Sequence, residues 1–365
     1  MVIDIIAGAR PNFMKIAPII EAIQKEKKNG KNINYRLVHT GQHYDKNMSG
    51  SFFEELGIPQ PDVNLECGSG SQAEQTANIM VEFEKDLLAY PADLVLVVGD
   101  VTSTMACSIV AKKLCIKVAH VEAGIRSFDL TMPEEINRMV TDSIADYFFT
   151  TSTIANQNLK RYGAHDEQIF FVGNVMIDTL LKNLIHFKQP KVFKDLQLHP
   201  QEYFVITLHR PANVDEEGIL KELMDEIINN VKGLPVIFPV HPRTAKILSS
   251  LGISALNLHM IEPLGYLEFN YLVQNAKAVI TDSGGITEET TVMGIPCLTL
   301  RNNTERPETI TVGTNELIGT DPKAIKPSLE KLFAGQWKKG GIPELWDGKS
   351  SVRIVNEICN LFQII

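Results

Sequence analysis

The chain has 365 residues, of which 44% are hydrophobic and 22% charged, a composition that supplies two ordinary globular cores and excludes a disordered or fibrous chain. Its formal charge of 35 − 44 = −9, without a long basic run, argues against nucleic-acid binding, so an anionic ligand must be held by local cations and helix N-termini. The cysteines, Cys67, Cys107, Cys115, Cys297 and Cys359, are odd in number and never spaced C-x-x-C. They argue for reduced thiols in a cytoplasmic protein and against a disulfide frame or a zinc site. No signal peptide and no membrane span are expected.

Val2 to Ala7 reads as a strand, Gly8-Ala9-Arg10-Pro11 as a turn, and Met14 to Lys27 as a helix with Ile16, Ile19, Ile20 and Ile23 on one face. Strands follow at Tyr35 to Thr40, Leu94 to Val98, Val118 to Val121 and Phe148-Phe149. Helices alternate with them at Ala73 to Leu88, Thr102 to Leu114 and Ile136 to Ala145. The pattern restarts after Phe171-Val172-Gly173-Asn174, with strands at Phe204 to Leu208, Val236 to Val240, Ala278 to Ile280 and Cys297 to Leu300. Helices are expected at Ile219 to Val231, Tyr266 to Asn275 and Glu288 to Met293, and a polar loop at Lys191 to Gln201. Alternating strands and helices imply parallel sheets covered on both faces. The reading is therefore an α/β protein with two Rossmann-like domains, residues 1–172 and 173–350. A last helix, 351–365, packs back on the first domain. Ligands would bind in a cleft at the carboxyl ends of the strands.

Those strand ends carry the chemistry. Thr281-Asp282-Ser283-Gly284-Gly285 is a strand-to-helix turn whose glycines and free N–H groups suit a phosphate. Glu289, one turn inside that helix, can accept hydrogen bonds from ribose hydroxyls. Asp100 follows Gly99 at one strand end and Glu122 precedes a Gly turn at the next. Glu134 opens a helix and, four residues from Arg138, would share an ion pair with it. Three such carboxylates suit general acid–base work. His209-Arg210 and His241 follow strands in the second half. Together Arg10, Lys15, Arg138, His209, Arg210 and Arg306 form a cationic set suited to a pyrophosphate. Neither a Walker A sequence nor G-x-G-x-x-G is present, so neither ATP hydrolysis nor a dinucleotide cofactor is supported.

Gly8-Ala9-Arg10-Pro11 with Lys15, Thr40-Gly41-Gln42-His43, Gly99-Asp100 and His120-Val121-Glu122-Ala123-Gly124 stand in a fixed order along the chain. Pro133-Glu134-Glu135 with Asn137-Arg138, His209-Arg210, Thr281 to Glu289, and Thr304-Glu305-Arg306-Pro307-Glu308 follow. In this order they resemble the non-hydrolysing UDP-N-acetylglucosamine 2-epimerases over nearly the whole chain. The resemblance implies a glycosyltransferase-B-like fold and reversible conversion of UDP-N-acetylglucosamine to UDP-N-acetylmannosamine. The implied route is elimination of UDP to 2-acetamidoglucal and re-addition, without redox cofactor or metal. It also implies a homodimer serving surface polysaccharide precursors. Asp100, Glu122 and Glu134 would be the acid–base groups. His209, Arg10 and Ser283-Gly284-Gly285 would hold the diphosphate, and Glu289 the ribose. Lys15, Arg138 and Arg306 would contact sugar or phosphates, and the uracil would lie along Leu264 to Phe269. Two positions depart from the family pattern: Ala212 stands where a Glu that can orient His209 is common, and Thr287 where a Gln is. Activation by a second substrate molecule in bacterial members uses the Gln-His turn, here Gln42 and His43, and a nearby Arg, which Glu66 to Ser71 does not supply. The segment Arg126 to Pro133 is shared with relatives acting on diacetamido-sugar acids, which leaves a related UDP-sugar, a hydrolysing enzyme and a UDP-sugar sensor without turnover as alternatives.

Overall fold

The structure is a computed structural model that describes residues 1–41, 56–68, 70–214, 216–240 and 242–364. The chain forms two compact units, residues 1–182 with 344–365, and residues 183–343.

The first unit is built on seven parallel strands: β1 (Val2–Ala7), β2 (Asn34–His39), β3 (Val63–Asn64), β4 (Leu94–Val98), β5 (Lys117–Ala123), β6 (Tyr147–Thr150) and β7 (Ile169–Phe171). Their order across the sheet is β3-β2-β1-β4-β5-β6-β7. β4 is buried along its whole length, which is why it reads as a continuous run of Leu and Val instead of an alternating one. The covering helices are α1 (Arg10–Lys28), α2 (Gln72–Ala89), α3 (Thr102–Lys113), α4 (Pro133–Ile144), α5 (Thr153–Arg161) and α6 (Val175–Asn183). α2 starts at a reciprocal cap. Ser71 Oγ accepts from the Glu74 N–H at 3.3 Å, and Glu74 Oε2 accepts from the Ser71 N–H at 2.9 Å.

The second unit repeats the plan with six parallel strands in the order β10-β9-β8-β11-β12-β13. They are β8 (Phe204–Thr207), β9 (Val236–Pro239), β10 (Leu258–Ile261), β11 (Ala278–Thr281), β12 (Cys297–Thr299) and β13 (Asn315–Leu317). Its helices are α7 (Lys191–Asp195), α8 (Pro211–Val214), α9 (Glu217–Asn230), α10 (Pro242–Ser250), α11 (Tyr266–Asn275), α12 (Gly284–Met293), α13 (Glu308–Thr311) and α14 (Ile325–Phe333). One apolar cluster lies on each face of this sheet. Phe204, Ile206, Leu223, Ile227, Phe238 and Ile280 belong to one cluster, and Tyr203, Val205, Ile237, Leu272, Val273 and Val279 to the other. The alternation along β8, Phe204 and Ile206 against Tyr203 and Val205, is the period of an extended strand.

The stretch read as a polar loop at Lys191 to Gln201 contains α7. Its Phe193 packs edge-on against Tyr203 and Tyr271, with ring centroids 5.9 and 5.4 Å away. One aromatic anchor holds a short helix that charge alone would leave in solvent. The C-terminal helix α15 (Ser350–Leu361) lies in the first unit and packs on α1. Asp178 of α6 caps it, accepting from the N–H groups of Ser350 and Ser351 at 3.0 and 2.7 Å. Among the described residues no helix is long and apolar enough to cross a membrane.

Candidate functional site

In the first unit the polar turns follow β1, β4 and β5, around the point where the strand order reverses, where open α/β sheets bind ligands. Asn12 joins the first turn to the second. Its Oδ1 accepts from the N–H groups of Gly8 and Ala9, both at 3.0 Å, and its Nδ2 donates to the Val98 carbonyl at 3.1 Å. Gly8 cannot carry a side chain, since a Cβ there would lie 2.0 Å from Ser103 Oγ. With α1 fixed in this way, Lys15 reaches across to form an ion pair with Glu122 at the end of β5. Lys15 is 6% exposed and Glu122 2%. Gly99 lies against the pair: a Cβ there would sit 2.9 Å from Lys15 Nζ and 3.2 Å from Glu122 Oε2. Glu122 has φ 69°, in the left-handed region. For a residue other than glycine this costs on the order of 1–3 kcal/mol and is a feature of functional sites.

Asp100 does not cap the following helix, whose N-cap is Val101. Its carboxylate accepts from Arg138 Nη1, and its backbone carbonyl accepts from Asn137 Nδ2 at 2.9 Å. The ion pair expected between Glu134 and Arg138 is replaced by one three residues apart. Arg138 Nη2 lies 2.7 Å from Glu135 Oε2 and its Nε donates to the same oxygen at 2.9 Å. Glu134 is exposed at the start of α4. The reason is the better set of donors on the inner side. Glu135 also accepts from the N–H and Oγ–H of Ser127, both at 3.0 Å, and from the N–H of Phe128 at 3.1 Å. Burial pushes the Glu135 carboxyl up, but Ser127 and Arg138 outweigh it and hold it below the usual carboxylate range. Thus Lys15 and Arg138, read from sequence as ligand contacts, are each tied to a carboxylate of the chain itself.

In the second unit the corresponding turns follow β8 and β11, again on either side of the strand-order reversal. Asp282, fully buried, joins them. It accepts from the Arg210 N–H at 2.9 Å and from Asn213 Nδ2 at 3.0 Å, and its Oδ1 lies 2.7 Å from His209 Nδ1. Burial opposes the charge on Asp282, yet His209, Asn213 and the Arg210 N–H hold its carboxyl below the usual range. The His209 side chain is 61% exposed, so its ring is fixed through Nδ1 while much of it faces outward. The departure at Ala212 therefore does not leave His209 unsupported, because Asp282 orients the ring. Arg210 Nε donates to the Asp282 carbonyl at 3.1 Å.

α12 begins at Gly284, earlier than the helix expected from Glu288. Ser283 stands at the N-cap position, but its side chain makes no capping hydrogen bond. The first-turn N–H groups of this helix are the usual unsatisfied donors of a helix start. They lie beside a buried ionic cluster. Arg306 pairs with Glu288 and, at 2.9 Å, with Glu305, and Arg301 pairs with Glu305 at 2.6 Å. A Cβ on Gly284 would lie 2.9 Å from Glu305 Oε1 and 3.1 Å from Arg306 Nη1. Glycine is needed here for close packing, and Arg306 is placed next to the helix start. Glu289 is buried and accepts from Asn270 Nδ2 at 3.4 Å. Burial raises its carboxyl to about 7, with Tyr266 and Asn270 opposing and Glu288 adding to the rise.

Gln42, His43 and His241 lie outside the described residues, as does the side chain of Arg10, although Arg10 itself opens α1. Sequence reasoning missed Glu135, Asp142, Arg126, Asp282 and Arg301. Asp282 stood inside the Ser-Gly-Gly motif, and the i,i+3 spacing of Glu135 and Arg138 was available. The other partners come from segments too far apart in sequence for any local spacing to reveal.

A family model described as UDP-N-acetylglucosamine 2-epimerase matches residues 25–359. The UDP-N-acetylglucosamine 2-epimerase of Methanocaldococcus jannaschii is 44% identical, with 97% of this chain and 98% of that protein covered. The UDP-2,3-diacetamido-2,3-dideoxy-D-glucuronate 2-epimerase of Pseudomonas aeruginosa is 41% identical, covering 98% of this chain and 99% of that one. The crystal structure of the M. jannaschii epimerase in complex with UDP-GlcNAc and UDP superposes with a TM-score of 0.87 at 42% identity, covering 99% of this chain and 100% of that one. Two Rossmann-like units with parallel sheets are thus the glycosyltransferase-B-like architecture that the motifs implied. The extent and identity of these matches establish that the chain belongs to the UDP-N-acetylglucosamine 2-epimerase family, a family of isomerases.

Proposed function

We propose that the chain interconverts UDP-N-acetylglucosamine and UDP-N-acetylmannosamine by elimination and re-addition. In the forward direction a carboxylate takes the C2 proton, the C1–oxygen bond breaks, and UDP leaves with the bonding pair. The product of this step is 2-acetamidoglucal. UDP then attacks C1 while a carboxylic acid returns a proton to the opposite face of C2, so nothing is consumed. The first unit would serve the sugar and the second the UDP.

The observation that carries this reading is the treatment of the carboxylates at the ends of β4 and β5. Asp100 and Glu122 are each paired with a buried cation, Arg138 and Lys15. A strained backbone presents Glu122. Such fixed charges suit proton transfer at a weakly acidic carbon. Glu134, exposed at the start of α4, is the third carboxylate of the proposal. His209, held by Asp282, would face the diphosphate together with Arg10, Arg210, Arg306 and the Ser283-Gly284-Gly285 helix start, where preplaced donors stabilise departing UDP. Glu289 would meet the ribose. A cytoplasmic homodimer that supplies surface polysaccharide precursors belongs to the same proposal.

A second substrate is favoured by the 41% identity to an epimerase named for a diacetamido-glucuronate and by the Arg126 to Pro133 segment. The test is NMR of the purified protein in D2O with each UDP-sugar in turn. The expected result is a UDP-N-acetylglucosamine and UDP-N-acetylmannosamine mixture, deuterated at C2, without free sugar. Turnover of the diacetamido-uronate alone would transfer the reading to that substrate. Free N-acetylmannosamine with UDP would mean a hydrolysing enzyme. UDP binding without deuteration of either sugar would mean a sensor.

A further inference from the structure

Asp100 and Glu122 sit on separate turns, at the ends of two neighbouring strands, and a single buried side chain spans them. His120, on β5, is completely buried. Its Nε2 lies 2.8 Å from the carbonyl oxygen of Gly99, the residue before Asp100. Its Nδ1 lies 2.6 Å from Oδ1 of Asp142 on α4. The other oxygen of Asp142 accepts from the N–H of Gly124 at 3.1 Å and pairs with Arg126 at 2.7 Å. Gly124 belongs to the Glu122 turn. The two turns meet directly as well, the Gly99 N–H donating to the Val121 carbonyl at 3.0 Å.

Both ring nitrogens therefore face acceptors. A carbonyl oxygen cannot donate. Nor can Asp142 while it is ionised, and Arg126, which engages its second oxygen, keeps it so. Burial pushes the Asp142 carboxyl up, but His120 and Arg126 together hold it below the usual range. A neutral imidazole would turn one lone pair against an oxygen lone pair in a site without water exposure, leaving two buried acceptors opposed. Protons on both nitrogens satisfy every group.

We infer that His120 is a constitutive imidazolium and the positioning residue of the acid–base pair, clamping the Gly99-Asp100 turn to the Glu122-Gly124 turn. This rests on the reading of Asp100 and Glu122 as the proton-transfer groups. His120 touches neither carboxylate in this role. It acts through the Gly99 carbonyl on one side and through Asp142 and the Gly124 N–H on the other. Its fixed charge also explains why a histidine, with two opposed donors on a rigid ring, stands there: an amide side chain offers only one pair of donors, from a single nitrogen. Displacement of a proton-transfer group by about 1 Å costs on the order of 100-fold in rate, so the clamp should appear in kcat more than in KM.

The test has two independent parts. The first is nitrogen NMR of the full-length protein labelled at its nine histidines, with no substrate, at about pH 7.5, where an ordinary histidine is largely neutral. His120 is assigned by the resonances that vanish in His120→Gln. Two ring N–H protons on His120 are expected, and one alone overturns the inference. The second part is steady-state kinetics of C2 exchange in His120→Gln and Asp142→Asn, each first shown to bind UDP as the parent protein does. kcat is expected to fall about 10- to 100-fold with KM within about threefold. Unchanged kcat in both variants overturns the clamp while leaving the function intact. A wild-type protein that exchanges no C2 proton would overturn the functional reading and the positioning role with it. The doubly protonated ring would still stand or fall by the spectra.

Discussion

The two units use the same sheet plan for opposite ends. In the first, the polar groups at the strand ends are consumed by one another. Lys15 holds Glu122, Arg138 holds Asp100 and Glu135, and His120 and Arg126 hold Asp142. In the second, the strand ends leave groups presented. His209 is fixed at one nitrogen and exposed beyond it, and Ser283 stands at a helix start that its side chain does not cap. Proton transfer demands charges held at fixed places in a low-dielectric surrounding, because reorganising them during the reaction would raise the barrier. Binding a diphosphate demands the reverse, donors that no group of the protein has already taken.

The comparison breaks most sharply at Asp100. Asp100→Asn keeps the size and much of the contact with Arg138 but removes the base. C2 exchange is expected to fall by about 10³-fold or more, with UDP affinity unchanged. Wild-type exchange in this variant would remove Asp100 from the proton-transfer set. Lys15→Met tests whether the first unit's charges are held at a cost to folding. It leaves Glu122 buried without its cation, and denaturant unfolding should show a loss of about 3–5 kcal/mol. A loss below about 1 kcal/mol would mean that Glu122 finds water or another partner.

Gly284→Ala probes the second unit. The added methyl meets Glu305 Oε1 at 2.9 Å and Arg306 Nη1 at 3.1 Å, so calorimetry should show UDP binding weakened about tenfold. Stability should fall by about 1–2 kcal/mol. Equal UDP affinity would detach this helix start from the ligand. The smallest effect is expected at Asp4, a buried carboxylate of β1 that lacks a full partner set. Its Oδ1 has no hydrogen-bond partner among the described residues, and Oδ2 lies 3.3 Å from Arg36 Nη1. Burial raises its carboxyl to about 7, against the pull of Arg36. A raised carboxyl stabilises the fold below its unfolded value near 4, and that contribution is lost as pH rises through about 7. Asp4→Asn should therefore gain on the wild type by about 1–3 kcal/mol between pH 4 and pH 8, read as a widening gap in unfolding free energy. A constant gap would mean that Arg36 keeps the Asp4 carboxyl ionised throughout.

Much of this contrast was written locally. The apolar runs at Leu94 to Val98 and Ala278 to Ile280 are strands because burial on both faces permits nothing polar in them. The functional turns were legible because polar residues and glycines cluster directly after those runs. Pairing was not legible. Helical spacing offered Glu134 and Glu135 equally as partners for Arg138, and the choice fell to Ser127 and Phe128, whose N–H groups lie only on the inner side. His209 and Asp282 are separated by 73 residues, and no spacing rule joins them.

The amino-acid sequence by itself thus determined the alternation of strands and helices, two doubly wound units, and which turns carry chemistry, since each of these follows from periodicity and composition over a few residues. Tertiary structure decided which charge neutralises which, where His120 finds its two acceptors, and which donors remain unused. These depend on the order β3-β2-β1-β4-β5 and β10-β9-β8-β11, which brings distant turns side by side. There the cost of burying a charge without a partner selects one arrangement.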